Sequence, residues 1–116
     1  MRFESFAFGS MRIDGVTFEH DVIIEDGHLR KRSKKASKHL RDRYGHTPLS
    51  KGEDIPWKCR RLVVGTGADG ALPVLAEVTR EAKRRGVELV ALPTPQALEL
   101  LRREMAHTNA ILHVTC

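Results

Sequence analysis

The chain has 116 residues, of which 20 are lysine or arginine and 15 are aspartate or glutamate, so its formal net charge is +5. This length predicts one domain with one core, and two cysteines are too few for a disulfide framework. No stretch approaches the roughly 20 apolar residues of a membrane span, so we expect a soluble cytoplasmic protein with reduced thiols and no membrane insertion.

Residues 1–32 have the pattern of an antiparallel β-meander. Short runs rich in β-branched and aromatic residues are separated by Asp14-Gly15 and Asp26-Gly27, dipeptides that favour tight hairpin turns. The last run, which begins at Leu29, is short and charged. It suits the edge of a sheet, where lysine and arginine discourage further pairing.

Residues 33–60 form a basic connection. A short helix is predicted from Lys34 to Tyr44, with Gly45 as its stop. The cations in and just before this region form a predicted basic patch of Arg30, Lys31, Arg32, Lys34, Lys35, Lys38, Arg41 and Arg43. We favour a solvated or partner-binding face over nucleic acid, because no aromatic residue interleaves with these charges before Tyr44.

Residues 61–116 predict a β-α-β-α-β unit. A strand over 62–65 precedes a helix that starts near Ala71 and ends at Gly86, with apolar residues at helical spacing. A second strand over 87–92 is followed by a helix that Thr94 caps, with Pro95 at its first position. The last strand covers 109–116, and right-handed crossovers would make the three strands parallel.

The turn after the first of these strands has the spacing G-x-G-x-x-G, with Gly65, Gly67 and Gly70. A dinucleotide site also needs an acid at the end of the second strand, where this chain has Leu92. We therefore favour a structural role for the glycines in a crowded connection. The carboxyl ends of the parallel strands still meet there, so a small crevice for an anionic or nucleotide-like ligand is a second hypothesis. Its predicted lining residues are Gly65, Thr66, Gly67, Asp69, Thr94, Thr115 and Cys116.

No set of catalytic residues stands out, and we favour a protein without catalysis over an enzyme. The six histidines have no paired ligand spacing, so neither a metal nor a cofactor is expected. His113 lies in an apolar run, which favours a hydrogen-bonded core histidine over a ligand. Cys116, as a lone thiol, is interpreted as a small buried hydrophobe.

Several motifs occur in the order found in one family: Phe8-Gly9-Ser10, Asp14-Gly15, His20-Asp21-Val22-Ile23-Ile24, Gly45-His46, Val63-Val64-Gly65-Thr66-Gly67, Thr94-x-x-Ala97 and Leu112-His113-Val114-Thr115-Cys116. Through them the chain resembles the small single-domain family of the mitochondrial complex I assembly factor 3 and the adipogenesis-associated domain proteins, with many uncharacterised archaeal and bacterial members. The residues that match the family motifs are Asp21, His46, Gly65, Gly67, Thr94, His113, Thr115 and Cys116.

The resemblance implies a layered α/β domain with a mixed central sheet. Combined with the element patterns, it predicts one domain of residues 1–116, made of an N-terminal antiparallel meander (1–32), a basic connection (33–60) and a C-terminal β-α-β-α-β unit (61–116). One departure concerns the helix after Thr94. The family usually has an asparagine where this chain has Leu100-Leu101, so a pocket lined by that asparagine would be altered here.

The resemblance implies a role by class, because the mitochondrial relative is a non-catalytic assembly partner. Our leading hypothesis is a protein-binding or assembly-type domain. The alternatives are an enzyme or binder of a small anionic ligand at the Gly65–Gly70 edge, and nucleic-acid binding through the basic segment 31–43. The sequence leaves the identity of the partner and the oligomeric state open.

Overall fold

The computed structural model describes all residues from Met1 to Cys116 and contains two β-sheets. The small antiparallel sheet consists of β1 (Phe3–Ala7), β2 (Ser10–Ile13) and β3 (Val16–Phe18). The large sheet has the strand order β5-β4-β8-β6-β7 and consists of β4 (Val22–Glu25), β5 (His28–Lys31), β6 (Arg61–Gly65), β7 (Glu88–Leu92) and β8 (Thr108–Leu112). The helices are a 3-10 helix (Lys35–Leu40), α1 (Arg41–Tyr44), α2 (Ala76–Arg85) and α3 (Thr94–Arg103). None of them has the length and apolar character that a membrane crossing requires.

The large sheet is mixed, and its central strand is the last one in the sequence. Strand β6 pairs in parallel with both β7 and β8, whereas β4 pairs antiparallel with β8 and β5. The predicted fold class, with a C-terminal β-α-β-α-β unit and an N-terminal meander, is confirmed. The residues of the predicted meander are divided, however, because β4 and β5 extend the large sheet while β1–β3 form the small one.

Successive side chains of the central strands point to opposite faces of the large sheet, and the core is therefore divided into two clusters. On one face Val63 packs with Leu98 and Leu101 of α3 and with residues of the small sheet. On the other, Leu62 and Val64 belong to a cluster with α2 and with the connection before β6. Each such fully buried side chain contributes about 1.5–3 kcal/mol by leaving water. The result is three layers, with the large sheet in the middle.

The helix predicted to begin near Ala71 begins at Ala76 instead. The residues before it are extended: Leu49 donates its amide to the Pro73 oxygen at 2.8 Å, and Leu75 donates to the Leu49 oxygen at 3.1 Å. Pro73 explains the difference, because the residue before a proline is disfavoured in helical conformation. The glycine turn is therefore not followed directly by a helix, as it would be in a dinucleotide-binding unit.

Candidate functional site

The glycine turn is filled by the chain itself. A Cβ atom on Gly65 would lie 2.8 Å from Thr94 Oγ1, and one on Gly67 would lie 2.4 Å from the Cys116 carbonyl carbon and 2.6 Å from the Thr115 oxygen. Gly67 also has φ of +101°, a conformation that other residues rarely adopt. The glycines thus permit the chain after β8 to lie directly against the turn, which is the structural role that the sequence favoured.

Thr94 holds this arrangement together instead of capping α3, as the sequence had suggested. Its hydroxyl accepts a hydrogen bond from the Gly67 amide at 2.9 Å and donates one to the His113 oxygen at 2.7 Å. No side chain caps the first turn of α3, because the threonine oxygen is already engaged. Thr94 therefore ties the turn after β6 to the segment after β8.

The amides that were expected to bind an anion at this turn are largely engaged. The amides of Ala68 and Ala71 donate to the main-chain oxygens of Thr115 and Cys116, at 2.7 and 2.8 Å. Six of the residues predicted to line a crevice do come together: Gly65, Thr66, Gly67, Thr94, Thr115 and Cys116. Asp69 is exposed and projects from the turn. Ligand binding at the turn stays a prediction, but most of the backbone donors there are already used.

A buried polar cluster lies where β4, β5 and β8 meet. Asp21 immediately precedes β4, Arg32 immediately follows β5 and His113 immediately follows β8, so the register of three neighbouring strands brings them together. Asp21 accepts a hydrogen bond from Arg32 Nη1 at 2.8 Å and lies 2.9 Å from His113 Nδ1. It also accepts the Val114 amide at 3.0 Å. Asp21 and His113 therefore lie in contact, and the prediction of a hydrogen-bonded core histidine at position 113 is confirmed.

Arg32 extends this cluster to the basic connection. Its Nε and Nη2 atoms donate to the two oxygens of Glu53, at 2.7 and 2.8 Å, and Nη2 also donates to the Pro48 oxygen at 3.1 Å. Glu53 in turn accepts from the Ser37 hydroxyl, which lies against that of Ser50. The side chains of Arg32 and Glu53 are 0% and 3% exposed. A buried ion pair of this kind fixes the irregular segment after β5 to the core.

Arg32 was included in the predicted surface patch, and that part of the prediction is wrong because the guanidinium is buried. Glu53, Ser37 and Ser50 were not singled out at all. Their local sequence gives no signal, since a glutamate in a polar run reads as solvated. Only the tertiary fold, which places Glu53 opposite Arg32, shows its role.

The surroundings of Asp21 lower its pKa despite its burial. Desolvation by itself would raise it, but the hydrogen bond from His113 and the charges of His113, Lys34 and Arg32 lower the pKa from 3.8 to about 2. Asp21 is therefore ionised throughout the physiological range. Because its carboxylate accepts from Nδ1, it orients the His113 ring so that Nε2 lies 3.1 Å from Thr115 Oγ1.

The free energy of unfolding should depend on the ionisation of Asp21 at acidic pH. The folded-state pKa of Asp21 lies below the unfolded value, so its contribution is complete above that value and is lost as the pH falls through the folded pKa. From about pH 4 to about pH 1, the wild type should lose about 2 kcal/mol more than Asp21→Asn. Urea unfolding at a series of pH values measures this. The free energy of unfolding of the exposed Asp54→Asn variant should fall with pH as that of the wild type does. If it fell as little as that of Asp21→Asn, the effect could not be assigned to Asp21.

A basic face covers this cluster on the solvent side. Its members are the exposed or half-buried cations between the last residue of β5 and the end of α1, namely Lys31, Lys34, Lys35, Lys38, Arg41 and Arg43. Only Lys34 approaches a carboxylate, with Nζ 3.8 Å from Asp21, and the other five make no ion pair. Arg30, also predicted for the patch, pairs with Glu25 and Asp54.

His46 and Cys116, which the sequence left apart, lie next to each other at the rim of this face. Cys116 Sγ is 3.4 Å from His46 Nδ1. No group of three histidine, cysteine, aspartate or glutamate side chains is placed so that it could hold a metal ion. This region therefore places cations, imidazole nitrogens and the Thr115 hydroxyl around a shallow depression.

Comparison with known proteins identifies a family and solved structures that are similar to this chain. Residues 3–113 match the model of a family described as a protein of unknown function, DUF498/DUF598. The conserved hypothetical protein PH1505 from Pyrococcus horikoshii OT3 is 31% identical, and the match covers 100% of both chains with a TM-score of 0.80. MT938 is 25% identical over 98% of this chain and 97% of its own, with a TM-score of 0.74. No curated protein matched the chain.

A more distant structure shares the fold alone. A Mth938-like domain from Bordetella pertussis is 18% identical over 97% of this chain and 84% of its own, with a TM-score of 0.60. The same arrangement of two sheets and helices is thus compatible with very different sequences. The fold by itself therefore does not select a function.

Proposed function

The chain belongs to the DUF498/DUF598 family, as its motif resemblance to the complex I assembly factor 3 group indicated, and from this premise we propose that it is a binding domain without catalysis of its own. Its basic face docks against an acidic surface of a protein partner. The observation that carries the proposal is the set of five cations on this face that no carboxylate of the chain neutralises: Lys31, Lys35, Lys38, Arg41 and Arg43.

The unpaired charges favour an acidic partner for an electrostatic reason. Cations without an internal carboxylate create a positive field that steers an oppositely charged surface and suppresses encounters with basic ones. The buried pair of Arg32 and Glu53 and the buried Ser37 hold the segment in place from beneath. A face that is ordered before binding loses less conformational entropy when its partner docks.

An exposed aromatic residue at the same end of the molecule supports a protein partner. Phe8, 67% exposed, lies at the turn between β1 and β2. The adjacent Gly9 donates its amide to the Val114 oxygen at 2.7 Å, so this turn meets the segment that carries His113 and Thr115. Aromatic residues, phenylalanine among them, are enriched in protein interfaces relative to the rest of the surface. Binders of single-stranded nucleic acid instead stack successive bases on several rings along a groove.

The test compares two variants that remove the same charge from different surfaces. The partner is identified by affinity purification from the native cell and then purified, so that association can be followed with defined components by surface plasmon resonance. Replacement of Lys31, Lys35 and Arg43 by glutamine should slow association at least about tenfold. Glutamines at Arg80, Lys83 and Arg103, which are exposed and unpaired but lie on α2 and α3, form the control. They should change the rate less than about twofold.

Two outcomes would contradict the proposal. Equal losses for the two triple variants would show that only net charge matters. Tighter binding of a mixed-sequence single-stranded RNA than of the purified protein, with a steep linear loss of affinity against log salt concentration, would assign the face to nucleic acid.

A further inference from the structure

A small crevice opens within the basic face beside the buried cluster. Its volume is about 290 Å³, and the residues that line it include Lys34, Lys38, Arg41, His46, His113 and Thr115. No carboxylate and no apolar side chain is among these residues. Pockets for drug-sized ligands begin at about 300 Å³ and are mostly apolar. The crevice therefore suits a small, strongly polar group.

Two of the three cations at the crevice have no carboxylate partner, and the third has only a distant one. Lys38 and Arg41 make no ion pair, and Lys34 reaches only 3.8 Å from Asp21. Three positive side chains around one depression repel one another unless an anion lies between them. Tetrahedral oxyanions such as phosphate offer several acceptor oxygens to such donors, and the guanidinium of an arginine can bind two of them at once.

The floor of the crevice is formed by His113 and Thr115, whose side chains lie within hydrogen-bonding distance of each other. His113 is 6% exposed, and its Nδ1 lies 2.9 Å from the Asp21 carboxylate, which fixes the ring. Nε2 is 3.1 Å from Thr115 Oγ1. The Thr115 hydroxyl, which can donate as well as accept a hydrogen bond, is thereby held in place at the floor of the crevice.

The other depressions of the molecule do not share this character. The one at the opposite end of the sheet, of about 630 Å³, contains Asp14 and Asp26 along with Lys58 and Arg60, so its charge is mixed. The depression on the far side of Lys34 and Lys38 includes Asp21, whose carboxylate would oppose an anion. Of these three depressions, only the crevice over Thr115 is lined by cations without any carboxylate.

We propose that this crevice binds a phosphoryl group through Lys34, Lys38, Arg41 and the Thr115 hydroxyl. The inference rests on the proposed function in one respect, since the crevice is part of the same basic face. The group is supplied either by a phosphorylated side chain of the partner or by a free phosphate ion. In both cases the bound group neutralises the cations at the centre of the basic face. If a phosphorylated side chain of the partner supplies it, docking depends on that phosphorylation.

The first experiment titrates the ¹⁵N-labelled protein with inorganic phosphate at constant ionic strength and follows amide shifts by NMR. Saturable shifts are expected at His46, His113 and Thr115. Arg41→Gln should weaken binding about tenfold, the effect of one lost charge-assisted contact. Arg43→Gln is the matched control, because Arg43 belongs to the same short helix but stacks on Tyr44 outside the crevice. It should weaken binding less than about twofold.

A second arm separates the two sources of the phosphoryl group. A short acidic peptide containing phosphoserine is compared with the unphosphorylated peptide and with inorganic phosphate. Tighter binding of the phosphopeptide than of either favours a modified partner, whereas equal affinity for the phosphopeptide and inorganic phosphate favours the free ion. Thr115→Val should weaken both, and Arg41→Gln, which changes an exposed residue, tests the same site if the valine variant misfolds.

Shifts that rise linearly without saturation, or equal losses for Arg41→Gln and Arg43→Gln, would overturn the phosphoryl site. This failure is distinct from failure of the proposed function. The phosphate titration needs no partner, and the glutamine variants at Lys31, Lys35 and Arg43 test partner docking without changing any residue that lines the crevice.

Discussion

Replacement of Arg32 by methionine is expected to lower the free energy of unfolding by about 3–5 kcal/mol. The methionine fills much of the same volume but leaves Asp21 and Glu53 as buried carboxylates without their shared cation, each of which now binds Arg32 at 2.7–2.8 Å. Asp21 and Glu53 side chains are 1% and 3% exposed, so water cannot replace the lost contacts. Urea unfolding monitored by circular dichroism gives the change directly.

The neighbouring arginine provides the control. Arg30 also contacts two carboxylates, Glu25 and Asp54, but its side chain is 35% exposed and theirs are 44% and 88% exposed. Solvent screens such pairs, and Arg30→Met should lower the stability by at most about 1 kcal/mol. If the two methionine variants were equally stable, the buried cluster could not be the anchor of the basic connection.

Replacement of Gly67 by alanine should lower the free energy of unfolding by about 2–5 kcal/mol. A left-handed conformation at a residue with a Cβ contributes about 1–2 kcal/mol of this loss. The remainder arises because the new methyl group would overlap the main chain of Thr115 and Cys116, and backbone cannot rotate away as a flexible side chain can. Thermal and urea unfolding measure the loss.

Gly86 separates these two contributions. It has φ of +70° at the end of α2, yet a Cβ there would meet no atom within 4 Å. Gly86→Ala should therefore show only the conformational part, about 1–2 kcal/mol. A Gly67→Ala variant no less stable than Gly86→Ala would mean that the segment after β8 does not pack against the turn as described.

The C-terminal half of the fold could be predicted because its signals are local. Helical spacing, Gly86 after a basic turn and Pro95 at a helix start each act within a few residues, and all three are found in place. The predicted start of α2 was wrong because the helical spacing of apolar residues continues back to Leu72. That spacing was given more weight than the restriction that Pro73 places on the backbone of the residue before it. The division of the first 32 residues between two sheets depends on pairing between β4 and β8, strands that lie far apart in the sequence.

The site was harder to predict for the same reason. Asp21 and His113 were marked by the family motifs, but nothing local shows that residues 92 positions apart share a hydrogen bond. Arg32 reads as one more cation in a basic run, and its burial follows only from the position of Glu53. The glycine turn was interpreted correctly as structural, since the missing acid at Leu92 is itself a local signal.

The position of β8 has a consequence for how the protein folds during synthesis. β8 fills the centre of the large sheet, between β4 and β6, yet it is the last strand to leave the ribosome. Until it emerges, the inner edges of β4 and β6 each lack a hydrogen-bonding partner, and exposed edges are open to pairing with other chains. Because the completing contacts are so non-local, the sheet should close late and slowly in comparison with helical domains of this size.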